Sequence, residues 1–318
     1  MGTNRLDNAH IAIADGNPAM RASLKRALQD ARAETVTDCN SFEAVTKVLD
    51  DISVDLLVCD AELAGGDFCD LVQKMRNHAI GRNPFLAVIA VTGLAEALAI
   101  QRILGSGVDD LLIKPVPMEI LVDRVAKLVD TRKPFVITHN YIGPDRRGMG
   151  ARAEEKNPIV PISVPNTLRN KIAGVTDTVE LTKQIDTAVA LLNTKKMERY
   201  SIEIAYLVKR IHTGLKSKKS VFEMKGDLER LAFVSKDLQR RMVGTSAEHA
   251  AHLAGSLVTV AERAGTAAEG PTTRDIELLS HLAAAIRHAF AEDPTAIGAA
   301  MEITDTIAKF AGKTDAGA

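Results

Sequence analysis

Three apolar stretches of this chain each end at a polar residue, and this pattern constrains the fold more than any other feature. Residues 56–59 precede Asp60, residues 85–91 precede Thr92, and residues 111–113 precede Lys114. Apolar runs of this length are typical of buried strands. Because the carboxyl ends of parallel strands meet at one edge of a sheet, we expect a carboxylate, a hydroxyl and an ammonium group in one pocket. This set suits a phosphoryl group, which the carboxylate can carry and the other two groups can bind.

The first 130 residues alternate between strand and helix patterns. Further strands are predicted at residues 10–14 and 34–37, and helices with one apolar face at residues 18–31, 42–49, 67–77, 95–104 and 118–128. Five such repeats with short connections indicate an α/β domain, with a doubly wound, five-stranded parallel sheet covered by helices on both faces. We place this domain at residues 8–130.

The composition is that of an ordinary globular protein and narrows the function only slightly. A length of 318 residues predicts two domains, and an aromatic content of 3% without Trp disfavours binding of single-stranded nucleic acid by base stacking. Cys39, Cys59 and Cys69 lack metal-binding spacing, so free thiols in a reducing cytosol are expected. The sequence shows neither a signal peptide nor an apolar stretch of membrane-spanning length, and we expect a cytoplasmic protein.

Residues 8–130 resemble the CheY-like receiver domains of bacterial two-component response regulators, which have a flavodoxin-like, doubly wound fold. The residues that carry the resemblance are Asp15, Asp60, Thr92 and the pair Lys114-Pro115, with the run Gly-Val-Asp-Asp-Leu-Leu-Ile leading into that pair. The resemblance covers about the first two fifths of the chain.

The resemblance implies a role for each of these positions. Asp60 would accept a phosphoryl group from the phosphohistidine of a sensor histidine kinase or a phosphotransfer protein. Thr92 would bond a phosphoryl oxygen and act as a switch, and Lys114 would pair with the phosphorylated carboxylate. Asp15 and Asp60 would hold Mg²⁺, and the bond before Pro115 is often cis in this family.

The sequence departs from the family pattern at two places. The family has a second acid after the first strand, where this chain has Gly16, so we expect weakened Mg²⁺ binding. Glu62, through its backbone or side chain, is a candidate metal ligand that partly replaces the lost charge; the alternative is a solvated loop acid. The second switch residue, usually aromatic, is Leu111. Two hypotheses stay open: a working receiver and a pseudo-receiver scaffold that is never phosphorylated.

Residues 131–176 have the composition of an irregular linker, with five prolines and a charged stretch. Within it the segment Phe-Val-Ile-Thr-His-Asn-Tyr-Ile-Gly-Pro-Asp-Arg-Arg is too apolar to stay solvated. One interpretation is a latch, in which Tyr141 and its apolar neighbours dock on a domain while Arg146 and Arg147 engage acids or a phosphoryl group. The alternative is a structural strap whose arginines are solvated.

Strand patterns disappear in residues 177–314, and helical spacing predicts an all-α bundle of unassigned family. The pattern at residues 178–216 fits one long helix or two helices broken near Thr194, and a last helix is predicted at residues 294–310. Residues 183–241 carry 14 Lys and Arg against 7 Asp and Glu, whereas residues 242–318 carry 5 against 10.

The basic part of this bundle fits a docking surface for a downstream protein partner, or two helical faces that attract each other. A homodimer is possible. Nucleic-acid binding is disfavoured because no helix-turn-helix with base-reading positions is evident, although a nucleic-acid-binding regulator stays an alternative. We expect no enzymatic output, because the bundle has no nucleotide-binding loop and no metal motif.

Overall fold

The computed structural model describes residues 6–146, 161–175, 177–217, 221–267 and 270–290. The chain divides into two compact units, the first ending at Leu192 and the second beginning at Asn193. No helix in these ranges is long and apolar enough to cross a membrane.

The first unit is built on a five-stranded parallel sheet with the strand order β2-β1-β3-β4-β5. The strands are β1 His10–Ala14, β2 Thr35–Cys39, β3 Leu56–Asp60, β4 Ala87–Thr92 and β5 Asp110–Ile113. The helices that follow them are α1 Pro18–Asp30, α2 Phe42–Asp51, α3 Phe68–Arg76, α4 Ala97–Gly105 and α5 Met118–Thr131. The predicted fold class and sheet topology are confirmed.

Alternating side chains of the strands supply two separate cores, one on each face of the sheet. Ile11 and Ile13 of β1 pack with residues of α1 and α5, whereas Ala12 and Ala14 pack with residues of α2, α3 and α4. A sheet that is buried on both faces needs apolar residues at nearly every strand position. This explains why the strands appear in the sequence as continuous apolar runs.

Side-chain caps fix where three of these helices begin. The Oδ1 atom of Asn17 accepts hydrogen bonds from the amides of Ala19 and Met20, and Pro18 occupies the first turn of α1. Ser41 and Asp67 cap α2 and α3 in the same way. Because each cap starts a helix soon after a strand ends, the connecting loop is short. The residues that follow the strand therefore stay at the edge of the sheet.

The segment predicted to be an irregular linker contains regular structure. A two-stranded antiparallel hairpin is formed by β6 Phe135–Ile137 and β7 Ile142–Pro144, and Phe135 also pairs with Ile162. Its apolar side chains form a third core with a residue before β4 and residues in the first half of α7. That core contains Phe85, Phe135, Ile137, Ile142, Ile162, Ala188 and Leu192. A short helix, α6 Thr167–Ile172, follows. The proposed boundaries at residues 130 and 177 therefore remain a prediction about which parts fold independently.

One continuous helix, α7 Thr178–Lys216, takes the place of the two that a break near Thr194 would have given. The second unit contains the latter part of α7, then α8 Val221–Met242, a 3₁₀ turn at Glu248–Ala250, α9 Ala251–Thr266 and α10 Thr273–Ala289. These helices share one apolar core, which includes Ile204, Leu231, Leu257 and Leu282. The helix predicted at residues 294–310 lies outside the described residues.

Candidate functional site

The three predicted strand-end residues lie at one edge of the sheet. Asp60 is the last residue of β3, Thr92 is the last residue of β4, and Lys114 directly follows β5. The strand register places Asp60 opposite Val91 and Thr92 opposite Ile113, so the three residues are on neighbouring strands at the same level. Asp15, which follows β1, joins them at this edge.

Lys114 bridges the two carboxylates of the site. Its Nζ atom lies 2.8 Å from Oδ2 of Asp60 and 3.0 Å from Oδ2 of Asp15. Burial lowers the pKa of Lys114, but the hydrogen bonds and negative charges of Asp60 and Asp15 outweigh this effect and raise the pKa above its usual value. The lysine is therefore a positively charged partner for whatever the carboxylates carry. The bond between Lys114 and Pro115 is cis, as the resemblance implied.

Backbone groups hold the remaining carboxylate oxygens. Oδ1 of Asp15 accepts a hydrogen bond from the amide of Asn17 at 2.7 Å, and Oδ1 of Asp60 accepts one from the amide of Glu62 at 3.1 Å. Arg21 donates to the carbonyl of Asp15 at 2.8 Å. These contacts fix the orientation of both acids, which are 1% and 7% exposed.

The side chain of Glu62 makes contacts that the sequence did not predict. Its Oε1 atom accepts hydrogen bonds from the hydroxyl of Thr92 at 2.7 Å, the amide of Gly93 at 3.0 Å and the amide of Leu94 at 3.1 Å. The hydrogen bond from Thr92, followed by those from the two amides, lowers the pKa of Glu62. The carboxylate of Glu62 thus lies against Thr92, and it is the backbone amide of Glu62 that contacts Asp60.

Gly16 and Leu111 mark the two departures from the family pattern. Gly16 is exposed, and a Cβ atom added there would meet nothing within 4 Å. Leu111 is half-buried and packs against the core on the α2–α4 face of the sheet. Its role as a switch residue remains a prediction.

The donor set fits a Mg²⁺ ion, although with few protein ligands. Mg²⁺ is commonly held by one or two carboxylates together with water and phosphate oxygens, and Asp15 and Asp60 supply two carboxylates here. Within the described residues no three His, Cys, Asp or Glu side chains are grouped as a metal site. By the family pattern a third carboxylate would stand at position 16, where this chain has glycine.

The predicted latch lies at the other end of the strands. The hydroxyl of Tyr141 donates to the carbonyl of Pro144 at 2.9 Å, and Nη2 of Arg146 donates to the carbonyl of Val108 at 2.6 Å. Val108 precedes β5, whereas Lys114 follows it. Arg146 therefore does not face the sheet edge that holds Asp60 and Lys114, and Arg147 lies outside the described residues. Burial of the hairpin is compatible with a latch and with a strap, so the choice between them stays a prediction.

A second group of charges, which we call the buried cluster, lies at this same end and consists of Arg76, Asp109, Arg132 and Phe135. Asp109 accepts from Nη2 of Arg76 at 2.9 Å and from Nε of Arg132 at 2.8 Å. Both guanidinium groups also lie over the ring of Phe135, with their Cζ atoms 5.0 and 5.1 Å from the ring centre. Burial lowers the pKa of Arg76 to about 10, so it remains charged at neutral pH.

Sequence reasoning missed the amides of Gly93 and Leu94, because backbone donors have no residue-type signature. It also missed the buried cluster, although Arg76 falls on the apolar face of α3, four residues after Val72 and eight after Phe68. A charged residue on that face was the available signal, together with glycine at position 107, where the backbone has a φ of +104°.

Comparison with known proteins agrees with this geometry. Residues 11–126 match the family model of the response regulator receiver domain. This segment is a receiver domain. The match to the family ends at residue 126, so it does not include the hairpin or the helical unit.

Three relatives each match a part of the chain that is about as long as the receiver domain. The sensor protein GacS of Pseudomonas syringae pv. syringae is 30% identical over 118 residues, which are 37% of this chain and 13% of GacS. The response regulator DrrB of Thermotoga maritima is 21% identical, with a TM-score of 0.35 over 40% of this chain and 55% of DrrB. The receiver domain of RcsB from Salmonella enterica serovar Typhimurium is 20% identical, with a TM-score of 0.36 over 40% of this chain and 92% of that structure.

Proposed function

We propose that the receiver domain accepts a phosphoryl group on Asp60 from a histidine kinase or a phosphotransfer protein. The observation that carries this proposal is the contact of 2.8 Å between Lys114 Nζ and Oδ2 of Asp60, at the edge where Thr92 also ends its strand. A buried carboxylate beside a fixed cation can take up an anionic group without leaving its new charge unbalanced.

In the transfer step an oxygen of Asp60 forms a bond to phosphorus while the bond from phosphorus to the donor histidine nitrogen breaks. The nitrogen keeps the electron pair of the broken bond and takes a proton from water. The ammonium group of Lys114 balances the charge on the phosphoryl oxygens, and the hydroxyl of Thr92 donates a hydrogen bond to one of them. Mg²⁺, held by Asp15 and Asp60, would neutralise charge between the carboxylates and the incoming phosphoryl group.

We propose further that the helical unit passes the signal to a protein partner, with a homodimer as a possible form. Ile202, Tyr206 and Phe233 are exposed apolar side chains on α7 and α8, which suit a protein surface. Some of the basic charge of this unit is already paired: Arg210 lies 3.1 Å from Asp227, and Lys195 lies 3.0 Å from Glu198. This pairing makes a phosphate backbone a less suitable partner.

Acetyl phosphate with Mg²⁺ tests the transfer step, with intact mass and gel filtration as readouts. The wild-type chain is expected to gain the mass of one phosphoryl group, and Asp60→Asn is expected to gain none. Asp70→Asn is the matched control, because it removes an exposed acid that pairs with Lys74 outside the site. Equal mass gain in wild type and Asp60→Asn would refute Asp60 as the acceptor.

A phosphorylation-independent scaffold is the second candidate, and Gly16 is the observation that favours it. The loss of one acid weakens Mg²⁺ binding, and the open space around Gly16 leaves room to restore it. If the wild-type chain gains no mass at high Mg²⁺ whereas Gly16→Asp does, the natural chain is a scaffold with a dormant site.

A further inference from the structure

Three hydrogen-bond donors of the receiver site converge on one oxygen of Glu62. They are the hydroxyl of Thr92 and the successive loop amides of Gly93 and Leu94, at 2.7, 3.0 and 3.1 Å from Oε1. Consecutive amides that point at one atom form a small anion-binding concavity. Here the carboxylate of Glu62 occupies this concavity.

The concavity borders the proposed phosphoryl acceptor. Thr92 is the residue after Val91, which is the register partner of Asp60 on the adjacent strand. The backbone of Glu62 is itself tied to Asp60, since its amide donates to Oδ1 at 3.1 Å. A phosphoryl group on Asp60 that takes a hydrogen bond from Thr92 therefore competes with the Glu62 carboxylate for that donor.

The two anions cannot use Thr92 at the same time. A threonine hydroxyl carries one hydrogen, and in this structure that hydrogen is donated to Glu62. Two anionic groups in one concavity would also repel each other. Glu62 and a phosphoryl oxygen are thus alternatives at the same donors.

We propose that Glu62 is a built-in competitor, which occupies the anion site of the unphosphorylated receiver and must swing out when Asp60 is phosphorylated. The inference rests on the proposed function, because it assumes that Asp60 takes the phosphoryl group. It assigns Glu62 a positioning role different from that of a metal ligand: the residue sets how readily the site is filled. The side chain is exposed, so it can leave without disturbing the core.

The size of the effect depends on how often the donors are vacant. A ligand that needs a state populated one tenth of the time binds about tenfold more weakly than it would to that state alone. Removing the competitor is therefore expected to speed the phosphorylation of Asp60 by about tenfold or more.

Initial rates of phosphorylation by acetyl phosphate at saturating Mg²⁺, read by intact mass, provide the test. Glu62→Ala is expected to be fastest, Glu62→Gln intermediate because its amide oxygen still accepts hydrogen bonds, and the wild type slowest. Glu96→Gln is the control: it removes an acid just before α4 that makes no side-chain cap, and its rate should equal that of the wild type.

Amide resonances of Gly93 and Leu94 give a second readout that needs no phosphoryl transfer. In Glu62→Ala both resonances should shift from their wild-type positions, and beryllium fluoride, a phosphoryl mimic, should move them back towards these positions. Resonances that are unchanged in Glu62→Ala would overturn the proposal, because the carboxylate would then not be bound to the two amides in solution.

The outcomes separate this inference from the proposed function. If the wild type is phosphorylated and Glu62→Ala is no faster, or is slower, the receiver works and the competitor does not exist. If only the Glu62 variants are phosphorylated, the inference stands because the competitor is strong, but the proposed function fails for the natural chain. If no variant gains mass, both fail.

Discussion

The receiver domain carries a cluster of charged residues at each end of its sheet, and the two clusters differ in their exposure to solvent. The edge cluster, Asp15, Asp60, Glu62, Thr92 and Lys114, lies at the carboxyl ends of the strands. The buried cluster of Arg76, Asp109, Arg132 and Phe135 lies at the amino ends. The side chain of Lys114 is 25% exposed, whereas those of Arg76 and Asp109 are each 1% exposed.

The two clusters also differ in how completely their hydrogen-bonding groups are paired. Arg76 donates to the carbonyls of Gly107, Pro84 and Leu86 as well as to Asp109, so each of its bonds ties one loop to another. In the edge cluster Lys114 pairs with two acids, and the hydroxyl of Thr92 donates to Glu62, whose side chain is exposed. A saturated buried network resists change, whereas a partly exposed one can exchange partners. Charged residues therefore form a saturated network at one end of the sheet and a site with exchangeable partners at the other.

Asp109→Ala tests the buried cluster and should have the largest effect on stability. Its removal leaves two buried guanidinium groups without their acid, and we expect a loss of about 3–5 kcal/mol in the free energy of unfolding of the receiver. Hydrogen exchange with peptide-level resolution measures this loss across β4 and β5.

The neighbouring residue provides the control for this variant. Asp110 pairs with Arg124 at 3.3 Å, and the side chain of Arg124 is 41% exposed, so Asp110→Ala should cost about 1 kcal/mol or less. If the two variants lose equal stability, the buried cluster is not the support that the geometry indicates.

Gly107→Ala should have the next largest effect, because Gly107 connects the receiver to the hairpin. Its φ is +104°, and an added Cβ would meet the carbonyl oxygen of Ile142 on β7. Strain and contact together should cost about 2–3 kcal/mol and increase exchange in the hairpin. Gly105→Ala is the matched control, since a Cβ there meets nothing within 4 Å. Similar exchange in both variants would refute the close approach.

The sheet and the strand-end residues could be predicted from the sequence, because both follow from continuous apolar runs of strand length. Asp60, Thr92 and Lys114 needed only the rule that parallel strands end at one edge. The direction of the Glu62 side chain could not be predicted: it depends on two backbone amides, and every residue offers such amides. The hairpin at residues 135–144 was missed because its strands have three residues each, with a proline in the second.

Lys196→Met tests, in the helical unit, the rule that a buried charge must be compensated. Lys196 is 2% exposed, and burial, with a further contribution from Arg241, lowers its pKa to about 7 despite the opposing charge of Asp237. Its ammonium lies 4.7 Å from the ring centre of Tyr200. Replacement by an apolar side chain of similar length should raise the free energy of unfolding by about 1–3 kcal/mol at pH 7.

The pH dependence gives the sign of this effect. Between pH 7 and 10 the unfolded lysine holds its proton and the folded one loses it, so the cost of burial is full below about pH 7 and declines as the pH rises. The gain from Lys196→Met should therefore shrink between pH 7 and 9, as urea unfolding followed by far-UV circular dichroism will measure. Lys195→Met, at an exposed lysine that pairs with Glu198, should change stability little at either pH. A gain that grows with pH would contradict the assignment.

Lys114→Met tests the edge cluster. It should have the smallest effect on stability and a large effect on phosphoryl transfer. The side chain of Lys114 is 25% exposed, but its loss leaves the buried acids Asp15 and Asp60 without their cation, so we expect a cost of about 1–2 kcal/mol, measured by hydrogen exchange around β5. Phosphorylation by acetyl phosphate should slow by about 100-fold, because the phosphoryl oxygens lose their balancing charge. The opposite result, a loss of several kcal/mol with an unchanged rate, would make the edge cluster a second scaffold. Exposure would then no longer distinguish a switch from a support in this fold.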